Sequence, residues 1–140
     1  MCKNQSEKYR KLRGKLQDAV EEFQWWLEKS EKSLTHDFGN NKDISVREKV
    51  QRYGLLLVIN KIHIEFSELD QLTITCETRA GTEIQTTIFE YQENKSFMWM
   101  LKRIENDIKK AAKGQNMIPI KDIDNVFNRL RDAIQQFSKI

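Results

Sequence analysis

SVREKVQRYGLLLVINKIHIEFSELDQLTITCETRA, residues 45 to 80, reads first as one long amphipathic helix. Leu55, Ile59, Ile62, Phe66, Leu69, Cys76 and Ala80 recur at alternating gaps of three and four, with Thr73 in the one polar slot. Such spacing holds a single apolar stripe toward a partner over many turns. Ser45-Val-Arg-Glu48 has the form of a capping box, which places the helix start, and Gly81 suits its end. A helix of this length runs roughly 50 Å and needs other long helices beside it.

The same residues support a second reading. Lys61-Ile-His-Ile-Glu-Phe66 alternates apolar and polar side chains, as does Leu72-Thr-Ile-Thr-Cys76, and Arg79-Ala-Gly-Thr82 could turn a hairpin. A β-meander across Lys61 to Tyr91 would make the chain α+β. The helical pattern covers more residues and agrees with both neighbours, so the expectation is an all-α fold.

Before this stretch, Tyr9, Leu12, Leu16, Ala19, Phe23 and Trp26 keep the three-four alternation, widened by Val20 and Leu27 and weakened at Ser30 and Ser33. They predict a first helix over about 6–36, with Gly14 costing about 1 kcal/mol relative to alanine. Trp25 and Trp26 read as core and core edge. His36 to Ile44 reads as a loop.

After it, Thr82-Glu-Ile-Gln85 is a second capping-box pattern and predicts a helix over about 83–112. Ile84, Ile88 and Tyr91 begin its stripe; Phe97, Leu101, Ile104, Ile108 and Ala111 continue it after a phase slip between Asn94 and Phe97. Gly114 and Pro119 bracket a linker at 114–119. Ile123, Phe127, Leu130, Ile134 and Phe137 then define an additional amphipathic helix over 120–140, broadened by Val126 and Ala133.

Composition agrees with long helices. The 140 residues are 32% charged and 39% hydrophobic, with five glycines and one proline. A net charge of +3 is too mild to imply nucleic acid. No run approaches the ~18 apolar residues of a membrane span, so none is expected. Met1 to Lys15 is too polar for a signal peptide. Cys2 and Cys76 form neither a CxxC pair nor a disulfide framework, so the N-x-S matches at Asn4 and Asn94 read as chance and the chain as intracellular.

The sequence offers no catalytic constellation, so no enzyme, cofactor or metal is expected. His36 and His63 fall in different segments without acids at metal-ligand spacing. No phosphate-cradling glycine loop occurs. Cys76 should behave as a small hydrophobe, and acid pairs such as Glu21 and Glu22 read as solvated helix surface.

Two sets of residues are candidates for binding. Phe97, Met98, Trp99 and Met100 form an all-apolar run, and Phe127, Leu130, Ile134 and Phe137 give the last helix a face that could lie in a groove or support self-association. Lys8, Arg10, Lys11, Arg13 and Lys15 form a basic patch. With Lys102, Arg103, Lys109, Lys110 and Lys113, it could make a weak, salt-sensitive binder of nucleic acid or anionic lipid. Interleaved acids argue against that.

Phe23-Gln-Trp-Trp-Leu27 resembles the signature of the first helix of a spectrin repeat. Phe66-Ser-Glu-Leu-Asp-Gln-Leu72 is similar to the closing seam of the second, and Glu83-Ile-Gln85 to the start of the third. The span from Glu7 to Ala112 matches the length of one repeat. Trp99 falls later than that family's usual aromatic, and the Gly114 to Pro119 break is not a continuous inter-repeat helix. The resemblance implies a left-handed antiparallel three-helix bundle over 1–113 with helices at about 6–36, 45–80 and 83–112. The final helix then either joins as a fourth or begins a next repeat. It also implies a cytoplasmic, cytoskeleton-associated scaffold, a spacer and protein-docking surface near actin, membranes or the nuclear envelope. On this reading residues 1–113 fold without the last helix.

Overall fold

A computed structural model describes residues 3–35, 44–67, 70–77, 83–88, 94–114 and 117–138. Helices predominate in it. The element order is α1 (Lys3–Thr35), α2 (Val46–Asn60), β1 (His63–Phe66), β2 (Leu72–Glu77), β3 (Glu83–Ile88), α3 (Asn94–Ala112) and α4 (Ile120–Ser138).

α1 follows its sequence stripe. Leu16, Ala19, Val20, Phe23, Trp26 and Leu27 are buried, and the buried face continues through Ser30 to Leu34. α4 runs antiparallel along it: Phe127 meets the Phe23 ring edge-on at 5.1 Å and Trp26 at 6.2 Å, while Phe137 lies 5.9 Å from Tyr9. α1 also packs against α2, and α3 packs against both α2 and α4. The four described helices thus form a closed ring around one hydrophobic core. The helix at the end of the chain is a full member of that core.

The continuous second helix expected over 45–80 is not what forms. Ser45 does cap α2, its side chain accepting from the Glu48 N–H at 3.1 Å. The helix then ends at Asn60 in a tightened turn, with the N–H of Lys61 bonded to Val58 O and that of Ile62 to Ile59 O. From there the two-residue period prevails. Ile62 and Ile64 are buried while His63 and Glu65 face solvent, and Leu72 and Ile74 are buried on the paired strand. β1 and β2 pair antiparallel with Ile64 opposite Ile74; β2 and β3 pair with Leu72 opposite Ile88 and Ile74 opposite Thr86. Ile62 and Phe66 fit both periods, and strand pairing adds backbone hydrogen bonds and cross-strand contacts to the β-branched side chains. At residues 63–88, then, the three-stranded meander of the α+β alternative is present.

Phe66 and Leu72, expected to continue a helix seam, instead lie opposite each other on antiparallel strands. The Ser67 N–H bonds to Gln71 O at 2.9 Å, the Asp70 N–H bonds to Ser67 O at 3.1 Å, and Asp70 takes a left-handed φ of 61°. Aspartate is among the few non-glycine residues that tolerate that conformation.

The expected helix over 83–112 is also divided. Glu83–Ile88 is strand β3, and the helix begins at Asn94. The phase slip in the sequence marks this boundary. Gly114, at φ 86°, closes α3, and the Pro119 carbonyl accepts from Asp122 and Ile123 at the start of α4. Residues 36–43 of the loop expected at His36 to Ile44, Leu69, the turn at 79–82, Tyr91 and the side chain of Cys76 lie outside the described residues.

β1 lies along α1, and β2 and β3 lie against α3. Antiparallel sheets of this kind bury one face and leave the other wet. No described helix is long and apolar enough to cross a membrane.

Candidate docking surface

α2 carries apolar side chains on two sides. Leu55 and Ile59 enter the core together with the stem of Arg52. On the opposite side Val46, Val50, Tyr53 and Leu57 point into solvent, with exposures of 78%, 65%, 56% and 42%. Their spacing of four, three and four places them on an arc of about 60° along three turns. A strip this narrow and this regular has the form of a coiled-coil seam on which no described residue is seated.

The charged residues of α2 that flank the strip are all cationic. On the helical projection Lys49 flanks one edge, and Lys61 and Arg47 flank the other. The acid of this helix, Glu48, lies behind and accepts from Arg52 Nη2 at 2.8 Å. Having turned to Arg52, its carboxylate serves that cation rather than the reciprocal half of a capping box. Arg52 Nε finds no hydrogen-bond partner among the described residues. At the α3 end, the Gly114 turn lies against Gln51 of α2: a β-carbon there would sit 3.7 Å from the Gln51 amide nitrogen. The exposed Lys113 is next to that turn.

The binding residues expected from sequence have other positions. Phe97, Met100, Phe127, Leu130 and Ile134 are buried, and Met98 and Phe137 are half-buried against the same core. The apolar face of α4 is therefore used within the chain's own core. Trp99 does project outward, 62% exposed, with the Arg103 guanidinium 5.7 Å from its ring centre. Trp26 is core, and Trp25 is surface with Lys29 5.0 Å above its ring.

The basic patch divides as well. Lys8, Arg10, Lys11 and Lys15 are exposed, and Lys8, Lys11 and Lys15 share one face of α1. Arg13 turns inward: its Nε donates to Asp70 Oδ1 at 2.6 Å, its Nη2 to Ser67 O at 3.3 Å, and its guanidinium lies 5.0 Å from the Phe66 ring centre. Tyr9 also donates to Asp70. Partial burial pushes the Asp70 carboxyl upward. With Gln24 Nε2 donating to Ile64 O at 2.6 Å, these contacts tie the first hairpin to α1.

Glu105 on α3 is buried between cations. Burial pushes its carboxyl up, but hydrogen bonds and charge from Arg131 and Lys109 outweigh that and hold it below the usual carboxylate range. Lys109 also pairs with Asp124. The group joins α3 to α4. His63 is a surface residue whose Nε2 lies 4.0 Å from Glu65. Among the described residues no three His, Cys, Asp or Glu side chains converge as a metal site.

The chain matches no family model, no curated protein and no solved structure.

The α2 strip escapes a reading by a single stripe because Leu55-Leu-Leu-Val58 is apolar all round. Assigning Leu55 and Ile59 to the core leaves Val46, Val50, Tyr53 and Leu57 as a second set with its own heptad spacing. That second set is the signal visible in sequence.

Proposed function

We propose that this chain is a protein-docking module whose α2 receives a helix from another protein. The supporting observation is the outward strip Val46, Val50, Tyr53 and Leu57 on a helix whose opposite side already supplies the core. Large apolar side chains exposed singly need no explanation, whereas four in register on one helix mark a contact surface. Trp99 and Trp25 add isolated apolar anchors on neighbouring helices.

A docking role accords with the scaffolding reading in its general sense. The cytoskeletal setting rests on the spectrin resemblance alone, and a second helix ending at Asn60 departs from the long, uninterrupted helices of such a repeat.

The test is a double substitution, Val50→Asp with Leu57→Asp. Both side chains are exposed, so the helical circular dichroism and the melting temperature should stay near wild type. Capture of amphipathic helices from a displayed heptad library should be lost. Equal capture by wild type and variant would remove the reading.

A second reading has one specific observation behind it: Lys8, Lys11 and Lys15 line one exposed face of α1. It assigns that face to anionic lipid or nucleic acid, with binding that falls steeply with added salt. Binding unaffected by Lys8→Glu, Lys11→Glu and Lys15→Glu would exclude it.

A further inference from the structure

We infer that the helix received by α2 is acidic along both edges of its apolar seam, and that it is not a second copy of this chain. The inference rests on the docking reading and goes beyond it by fixing the chemistry of the partner.

In a heptad frame, Val46 and Tyr53 take one core position and Val50 and Leu57 the other. Arg47, Gly54 and Lys61 then fall on one flanking position, and Lys49 and Leu56 on the other. Flanking charges set partner choice and orientation in such pairings. Every charge at these flanks is positive, and the nearby acid, Glu48, lies behind the strip with Arg52. A partner with Glu or Asp at its own flanking positions would meet complementary charge on both sides. One with Lys or Arg there would meet repulsion.

The same charges argue against self-pairing. Laid antiparallel on its own copy with Val46 opposite Leu57, α2 would bring only the Arg47, Lys49 and Lys61 cations of each chain to the flanks and no acid from either helix. Parallel pairing likewise offers no acid to either flank. The apolar strip alone would permit a homodimer; its cationic edges oppose one.

A membrane surface is the less suitable occupant. Helices that lie in the bilayer interface present a broad apolar face rich in bulky side chains. The α2 strip is about 60° wide and contains two valines, a tyrosine and a leucine. Its width suits another helix.

The experiment uses the whole chain and a displayed library of three-heptad helices, with apolar residues fixed at the seam and each flanking position encoded as Glu or Lys. The expected result is enrichment of Glu on both edges, with binding that weakens roughly tenfold between about 50 and 300 mM salt. The triple variant Arg47→Glu, Lys49→Glu, Lys61→Glu should reverse the selection toward Lys. Enrichment of binders without charge preference, still lost in the Val50→Asp, Leu57→Asp variant, would overturn the acidic partner and leave docking intact. Absence of any binder dependent on Val50 and Leu57 would overturn both. Two further outcomes would overturn the inference. One is a concentration-dependent dimer that Val50→Asp dissociates. The other is binding to phosphatidylserine vesicles lost on Val50→Asp, with no helix selected.

Discussion

Arg131 of α4 donates from Nη1 to Glu105 Oε1 at 2.7 Å and from Nη2 to Oε2 at 3.4 Å, gripping a carboxylate that is only 1% exposed. Lys109, one turn on along α3, approaches the same carboxylate at 3.3 Å and also pairs with Asp124. A buried charge of this kind is tolerable only while its partners remain. Glu105→Ala should cost about 2–3 kcal/mol, somewhat below a fully sealed pair, because Arg131 and Lys109 keep some contact with water.

The pH dependence follows from the direction of the Glu105 shift. Its carboxyl titrates below the ordinary value in the folded chain. The network therefore contributes fully above the unfolded carboxyl's value of about 4.5 and is lost as pH falls through the lower folded value. The melting-temperature gap between wild type and Glu105→Gln should be widest near neutral pH and close as acid is added. A gap that is constant down to about pH 3 would contradict the assignment.

Two adjacent tryptophans should behave oppositely. Trp26 is 8% exposed and packs against Phe23 and Phe127, so Trp26→Ala should cost roughly 3–5 kcal/mol. Trp25 is 59% exposed, and Trp25→Ala should change stability by about 0.5 kcal/mol or less. Chemical denaturation of the pair measures both. Equal losses would mean that the helix is rotated from the position described.

The outer helices are readable in the sequence because one period governs each. Phe23, Trp26 and Leu27 on α1, and Ile123, Phe127, Leu130 and Ile134 on α4, keep a stripe that no alternative pattern imitates, and all are buried. The middle is ambiguous for a definite reason. Ile59, Ile62 and Phe66 satisfy a helical spacing, while Ile62, Ile64 and Phe66 satisfy a strand spacing. What decides between them is pairing with Leu72 and Ile74, a long-range contact that local periodicity does not contain. Asp70 likewise gives no hint of its left-handed turn until the reversal at Ser67 is known. The outward strip of α2 is obscured because its four residues become recognisable as surplus only after the core has claimed Leu55 and Ile59.

Glycines along the helices give a direct check of these assignments. A β-carbon at Gly54 on α2 would meet nothing within 4 Å, and Gly14 on α1 is equally open. Gly54→Ala and Gly14→Ala should each stabilise by about 0.5–1 kcal/mol through helix propensity and a less free unfolded chain. Gly114 is different. Its φ of 86° is unfavourable to any side chain, so Gly114→Ala should destabilise by roughly 1 kcal/mol. Thermal melts of the three variants should therefore shift up, up and down. An upward shift at Gly114 would contradict its role in ending α3.

Removal of the last helix tests the architecture most severely. If α4 were a separate element, residues 1–113 would fold alone. In the ring of four helices, its loss uncovers Phe23, Trp26 and the rest of the α1 stripe, and leaves Glu105 without Arg131. The 1–113 fragment should therefore retain partial helicity but lose cooperative melting and bind a hydrophobic dye, as loosely packed states do. A peptide covering residues 116–140 added in trans should restore the cooperative transition, because the missing contacts lie on one continuous face of α4. A sharp melt of the fragment alone, unchanged by the peptide, would show that the core closes without α4.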